Sequence, residues 1–209
     1  MGFATDQEAF WAGEFGDEYI GRNNRADLLS SNVAMLARAL RSAGKPRSCI
    51  EFGANIGLNL RALKILFPEQ EQHAIEINAD AVAILKRAIP VEQVMCASIL
   101  EFTPARTWDL VLIKGVLIHQ NPEALPIIYD TLVDACARWL LVCEYYNPVP
   151  VAVDYRGHKD RLFKRDFAGE IMDRHSCMEL SDYGFVYRRD PVFPQDDSTW
   201  FLLEKRSQV

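Results

Sequence analysis

No stretch of this sequence approaches the roughly 18 to 20 consecutive apolar residues that cross a bilayer, and Met1 to Phe10 has no basic residue leading into an apolar run. A membrane span and a secretory signal are therefore not expected, and the expected location is cytoplasmic. Cysteine is sparse and irregular: Cys49, Cys96, Cys136, Cys143 and Cys177 are odd in number and never adopt a C-x-x-C spacing. Zinc-ribbon and dithiol redox motifs are excluded, and the five thiols are expected reduced in the core, where free cysteine behaves as a small hydrophobe. No cluster of metal-ligating residues stands out, so metal-assisted chemistry is not expected. Positive charge is in deficit, 23 Lys and Arg against 29 Asp and Glu, for a formal net charge of -6. That balance opposes nonspecific binding of nucleic acid, which depends on neutralising phosphates. Internal repeats and low-complexity tracts are missing as well.

What remains is an ordinary globular composition, 49% hydrophobic and 25% charged over 209 residues, enough for one large α/β domain with its own core. Apolar residues at Leu28, Leu29, Val33, Leu36, Ala37 and Leu40 recur at helical spacing over 25–43, which Gly44 and Pro46 end. Short β-rich and helical runs then alternate. Strands are expected over Ser48–Phe52, His73–Ile77, Val91–Cys96, Trp108–Ile113 and Trp139–Tyr145, and helices over Leu58–Phe67, Ala79–Ala88 and Pro122–Ala137, with Pro122 in the last helix's first turn. Alternation of this kind predicts a doubly wound parallel sheet. Beyond Pro148 and Pro150 come a polar connection, a helical stretch around Phe163–Arg174, and two β-rich runs, Phe185–Arg188 and Thr199–Glu204, able to pair as a hairpin.

The turn after the first strand, Glu51 to Gly57, is the first functional signal. A dinucleotide fingerprint started at Gly53 needs glycine at 53, 55 and 58, and the chain has Gly53, Asn55 and Leu58. An acidic residue followed by glycines at alternate positions fits better: Glu51, Gly53 and Gly57 match, and Asn55 departs mildly because Asn tolerates left-handed backbone.

E-F-G-A-N-I-G over 51–57 thus resembles the first motif of class I methyltransferases that use S-adenosylmethionine (SAM), and later segments resemble that family in order. The resemblance implies a mostly parallel seven-stranded sheet of Rossmann-like type with a C-terminal antiparallel hairpin, and SAM as cofactor. It implies cofactor contacts from Glu51, Gly53, Ala54, Asn55 and Gly57, and from Glu76 and Ile77, with the Glu76 carboxylate on the ribose hydroxyls. Ser98 and Ile99, in C-A-S-I-L-E-F, stand where the family usually places an acidic or polar residue near the adenine. Lys114, Gly115 and Val116 end the fourth strand, under the methionine part.

A narrower resemblance covers nearly the whole chain. FWAGEFGDEYIGRN, GVLIHQNP, YRGHKDRLFKRDFAGE and DYGFVYRRDPVFPQDDSTWFLLEK are similar to a methylase family associated with biosynthesis of pseudaminic acid and related nonulosonic sugars. It implies one domain over 1–209, divided into an N-terminal helical lid (1–45), a cofactor-binding core (46–147), a substrate-binding insertion (148–180) and C-terminal edge strands (181–209). It also implies an amino-sugar acceptor or its nucleotide-activated form. Tyr19 and Arg22, with Asn23, would face the cofactor if the first helices act as a lid. Packing of Phe10, Trp11, Phe15 and Tyr19 as core is the alternative.

A base is needed where a hydroxyl or ammonium is methylated. His119, just past the fourth strand, titrates near neutral pH and is one candidate, and a packing role beside Asn121 and Pro122 is the other reading. Glu144 and Tyr145 close the fifth strand and are further catalytic candidates. The stretch 156–165 holds five basic residues and a histidine in an otherwise acidic protein. It is either a solvated face or an anion site, with Tyr155, Arg156, His158 and Arg161 as substrate contacts. The expected partner is a small anionic metabolite, with no nucleic acid and no membrane. Methylation of RNA or protein, and a non-catalytic SAM-fold interaction protein, are the alternatives.

Overall fold

The structure, a computed structural model, describes residues 3–22 and 26–206, without the side chains of Arg22, Ala26 and Asp27. Three helices, α1 (Asp6–Ala12), α2 (Glu14–Arg22) and α3 (Ala26–Ala39), precede the first strand. Then follow β1 (Ser48–Phe52), α4 (Leu58–Leu66), β2 (Glu71–Glu76), α5 (Ala79–Leu85), β3 (Val94–Cys96) and β4 (Trp108–Lys114). After α6 (Leu125–Ala135) and β5 (Cys136–Glu144) come β6 (Val151–Tyr155), β7 (His158–Lys164), α7 (Phe167–Arg174), β8 (Met178–Val186) and β9 (Ser198–Lys205).

Seven strands form one sheet in the order β3-β2-β1-β4-β5-β9-β8. The first five are parallel, while β9 runs antiparallel to β5 and to β8. This is the expected doubly wound sheet with its C-terminal hairpin. Both faces are covered, and strand side chains alternate between them as a two-residue period requires. Ile50, Val111, Ile113, Leu140 and Val142 pack with α6 and α7, whereas Cys49, Leu110, Leu112, Leu141 and Cys143 pack with α3, α4 and α5.

Several expectations need correction. The polar connection after Pro150 and part of the helix expected from Phe163 are strands: β6 and β7 form a separate antiparallel hairpin. Charges on β7 hid its alternation. The helix expected from Pro122 begins at Leu125, and the proline of its first turn is Pro126. Of the five cysteines, Cys49, Cys136 and Cys143 are buried, Cys177 is half-buried and Cys96 is exposed, because β3 lies at the sheet edge. No helix of the described residues is long and apolar enough to cross a membrane.

Candidate active site

The turn from β1 to α4 adopts left-handed backbone at alternate positions: φ is +71° at Gly53, +47° at Asn55 and +79° at Gly57. Asn is the one side-chain-bearing residue there, and its Oδ1 accepts the Ile56 N–H at 2.7 Å. The N–H groups of Gly53 and Ala54 donate to the Ile75 carbonyl at 2.8 and 3.1 Å, fastening the turn to β2. A Cβ on Gly53 would lie 2.5 Å from Val116 Cγ2, so this strand end accepts nothing larger than glycine.

The turn faces a cavity of about 500 Å³ at the carboxyl ends of β1, β2, β3 and β4, where sheets of this kind bind ligands. Gly53, Ala54, Asn55, Glu76, Ile77, Ile99, Lys114, Gly115 and Val116 line it, as do Tyr19, His119, Tyr145, Tyr155 and Arg156. Gly57, Glu51, Ser98, Glu144, His158 and Arg161 do not. Arg22 ends α2, and its side chain and Asn23 lie outside the described residues.

Glu76 is seated by the turn. Its Oε2 accepts the Asn55 N–H at 2.7 Å and its Oε1 the Asn78 N–H at 2.8 Å. Burial raises its pKa, and hydrogen bonds from the Asn78, Asn55 and Ile77 backbone oppose the rise. Glu51 is 1% exposed and receives Asn59 Nδ2 at 2.6 Å on Oε1. Its Oε2 and Asn59 Oδ1 have no partner. Burial pushes the Glu51 carboxyl up to about 8 against the Asn59 bond and the Lys114 charge.

Glu144 departs from the role of base. Its Oε1 accepts the N–H groups of Val116 and Leu117, each at 2.9 Å, and its Oε2 that of Ile118 at 3.5 Å. It therefore holds the short 3₁₀ turn Leu117–His119 in place from beneath, and burial lifts its pKa to about 7. That turn delivers His119 to the cavity. His119 Nδ1 lies 2.6 Å from the Arg161 carbonyl, and a carbonyl only accepts, so Nδ1 carries the proton and Nε2 the lone pair. Burial lowers its pKa to about 4, so the ring is neutral at pH 7. Trp11 and Tyr155 flank it, with ring centroids at 4.6 and 4.9 Å.

Arg161 thus serves the site through its backbone, while its guanidinium lies over Phe10. His158 packs on Phe10 and Phe15. Between β6 and β7, Arg156 and Gly157 form a two-residue turn with φ of +50° and +84°, the geometry that favours Asn-Gly or Gly-Gly. Arginine there brings a guanidinium to the cavity in a backbone conformation that costs a non-glycine residue about 1–2 kcal/mol.

Sequence reasoning missed the contributions of α1 and of the loop before β9. Gln7, Glu8 and Trp11 line the cavity from α1, and Arg188, Gln195 and Asp196 from the β8–β9 connection. Gln7 Nε2 donates to the Asp160 carbonyl at 3.1 Å, joining α1 to β7. The α1 signal was legible as Thr5-x-x-Glu8, a capping box that forms here. Nothing local marks Asp196, which meets Tyr145 and raises its phenol pKa after the dominant effect of burial.

No protein-family model matches the chain, and no curated protein is significantly similar to it in sequence. Solved structures do match. The Burkholderia thailandensis 1,6-didemethyltoxoflavin-N1-methyltransferase, with bound S-adenosylhomocysteine (SAH), superposes with a TM-score of 0.73 at 12% identity, over 99% of this chain and 93% of that one. Magnesium protoporphyrin IX methyltransferase from Synechocystis, with bound SAM, gives 0.67 at 14% identity over 99% and 100%. A sugar N-methyltransferase from Streptoalloteichus gives 0.66 at 14% identity over 99% and 96%. The chain has the Rossmann-like fold of these SAM-dependent methyltransferases.

Proposed function

We propose that this chain is a SAM-dependent methyltransferase acting on nitrogen or oxygen of a small anionic metabolite, a nonulosonic or other amino sugar or its nucleotide-activated form. The observation that carries the reading is Glu76, a cavity-lining carboxylate at the end of β2 held by the backbone of the left-handed turn. A carboxylate offers about four acceptor sites, and the backbone N–H groups of Asn55, Ile77 and Asn78 leave capacity for a ribose hydroxyl.

The residues at the other end of the turn fit an amino-acid moiety. Asn59 and Lys114 line the cavity. The unpartnered Asn59 Oδ1, with the unpartnered Oε2 of Glu51 just behind it, matches an ammonium, and Lys114 at the end of β4 matches a carboxylate. The size is also suitable, since ligand cavities are typically about 300–1,000 Å³. SAM, when bound, supplies a methyl carbon on a positively charged sulfonium, which passes to a lone pair of the acceptor and leaves SAH. This chain's own residues then position the acceptor, which alone lowers a barrier by about 7–11 kcal/mol. Trp11 and Tyr155 wall the acceptor side, and neutral His119 takes on Nε2 the proton that the acceptor gives up. Arg156 and Arg188, both exposed and both at the cavity, suit a carboxylate or phosphate. The narrower sequence resemblance and the sugar N-methyltransferase among the structural neighbours support a sugar acceptor.

The test is a calorimetric titration with SAH, expected to give saturable one-to-one binding. Incubation with labelled SAM and a panel of amino sugars and sugar nucleotides should then yield a methylated product by mass spectrometry. A protein that binds neither SAM nor SAH ends this reading.

A further inference from the structure

Resting on the SAM reading, we infer that the base of the nucleoside is read by the N-terminal helix, with Glu8 of α1 accepting the 6-amino group of adenine. The sheet order places the parts of the ligand. Glu51, Asn59 and Lys114 lie at β1, α4 and β4, Glu76 at β2, and β3 flanks β2 on the far side. A nucleoside whose ribose meets Glu76 and whose amino-acid end meets Lys114 has its base toward β3. The cavity there is walled by Ile77, Ala97 and Ile99, apolar side chains suited to the faces of a flat ring.

Polar groups at this end are few. Ser98 does not line the cavity, and its hydroxyl is occupied: it accepts the Leu100 N–H at 2.9 Å and donates to Glu8 Oε1. Glu8 does line the cavity and is 5% exposed. Its Oε2 takes the N–H groups of Ala4 at 2.9 Å and Thr5 at 3.3 Å, which caps α1, while Oε1 holds Ser98 and keeps a second lone pair. A carboxylate braced from both sides and still short of one donor, at the end of an apolar slot, selects a base with an exocyclic amine. It rejects one with hydrogen or a carbonyl in that place. Because the carboxylate comes from α1, the cofactor's base is recognised by a helix that also walls the cavity through Gln7 and Trp11.

The experiment compares SAH with its purine analogue, in which hydrogen replaces the 6-amino group, by calorimetry on the full chain. Wild type is expected to favour SAH by about tenfold to a hundredfold, the range for a hydrogen bond to a charged group, and Glu8→Ala to bring the ratio close to one. Loss of the cap in that variant also loosens α1, so Thr5→Ala serves as control: it weakens the cap, keeps the carboxylate, and lowers both affinities while leaving the ratio intact. A ratio near one in wild type, or a wild-type ratio surviving in Glu8→Ala, overturns the assignment and leaves the SAM reading standing. Failure of wild type to bind either nucleoside removes the SAM reading itself.

Discussion

Glu51 carries the sharpest consequence of the proposed site. Its carboxyl is pushed to about 8 by burial, so near neutral pH it is protonated in most molecules, while a ligand ammonium needs it ionised. Binding therefore releases a proton. With a pKa of about 8 in the free protein and the carboxyl ionised once paired, the ionised fraction rises from about 1% at pH 6 to about half at pH 8, and SAH affinity rises by roughly tenfold to fiftyfold across that window. His119, with its pKa lowered to about 4, is neutral throughout and adds no slope. The assay is calorimetry at pH 6, 7 and 8 in two buffers of different ionisation enthalpy, with close to one proton expected per SAH at pH 7. Glu51→Gln should flatten the profile while retaining the hydrogen bond to Asn59. An affinity constant between pH 6 and 8, or a slope unchanged in Glu51→Gln, refutes the pairing of this carboxyl with the ligand's ammonium.

Three further perturbations test the site's construction. Gly53→Ala adds a Cβ at φ +71° and 2.5 Å from Val116 Cγ2, so strain and overpacking together should remove about 2–4 kcal/mol of stability in urea denaturation. A loss under about 1 kcal/mol would show the turn to be looser than described. Arg156→Asn keeps the left-handed hairpin turn in a residue that tolerates it, so the thermal midpoint should rise, with a gain of about 0.5–1 kcal/mol. At the same time the KM for an anionic acceptor should increase. Glu144→Ala strips the acceptor from the Val116 and Leu117 N–H groups and should cost about 3 kcal/mol. The Glu144 carboxyl titrates at about 7 when folded, above its ordinary 4.5. Its contribution is therefore full below pH 4.5 and declines through pH 7, so the gap between wild type and variant should narrow as pH rises. A gap that widens contradicts the burial of this group.

Much of the fold was legible because its signals are local. Strand and helix periods differ, so β1, α4, β2, α5 and β4 stand out in the sequence within a few residues of their actual ends. The turn was legible for the same reason: positive φ at three alternate positions demands Gly, Asn and Gly, and few sequences provide them. The β6–β7 hairpin was not, since Pro148 and Pro150 precede it and its turn carries Arg156 where Asn or Gly is usual.

The sequence by itself determined the order of the elements, the shape of the β1–α4 turn and the presence of acidic residues at the ends of β1, β2 and β5. Only the tertiary structure decided what each carboxylate does, because burial and pairing depend on residues far apart in the chain. Glu76 lines the cavity, Glu144 is consumed by the backbone beneath His119, and Glu51 lies behind Asn59 with one oxygen held by that amide and the other unpartnered. Glu8 meets Ser98 across 90 residues, and Gln7 meets Asp160 across 153. No periodicity announces such contacts, since they arise from two surfaces brought together by the packing of the sheet and its helices.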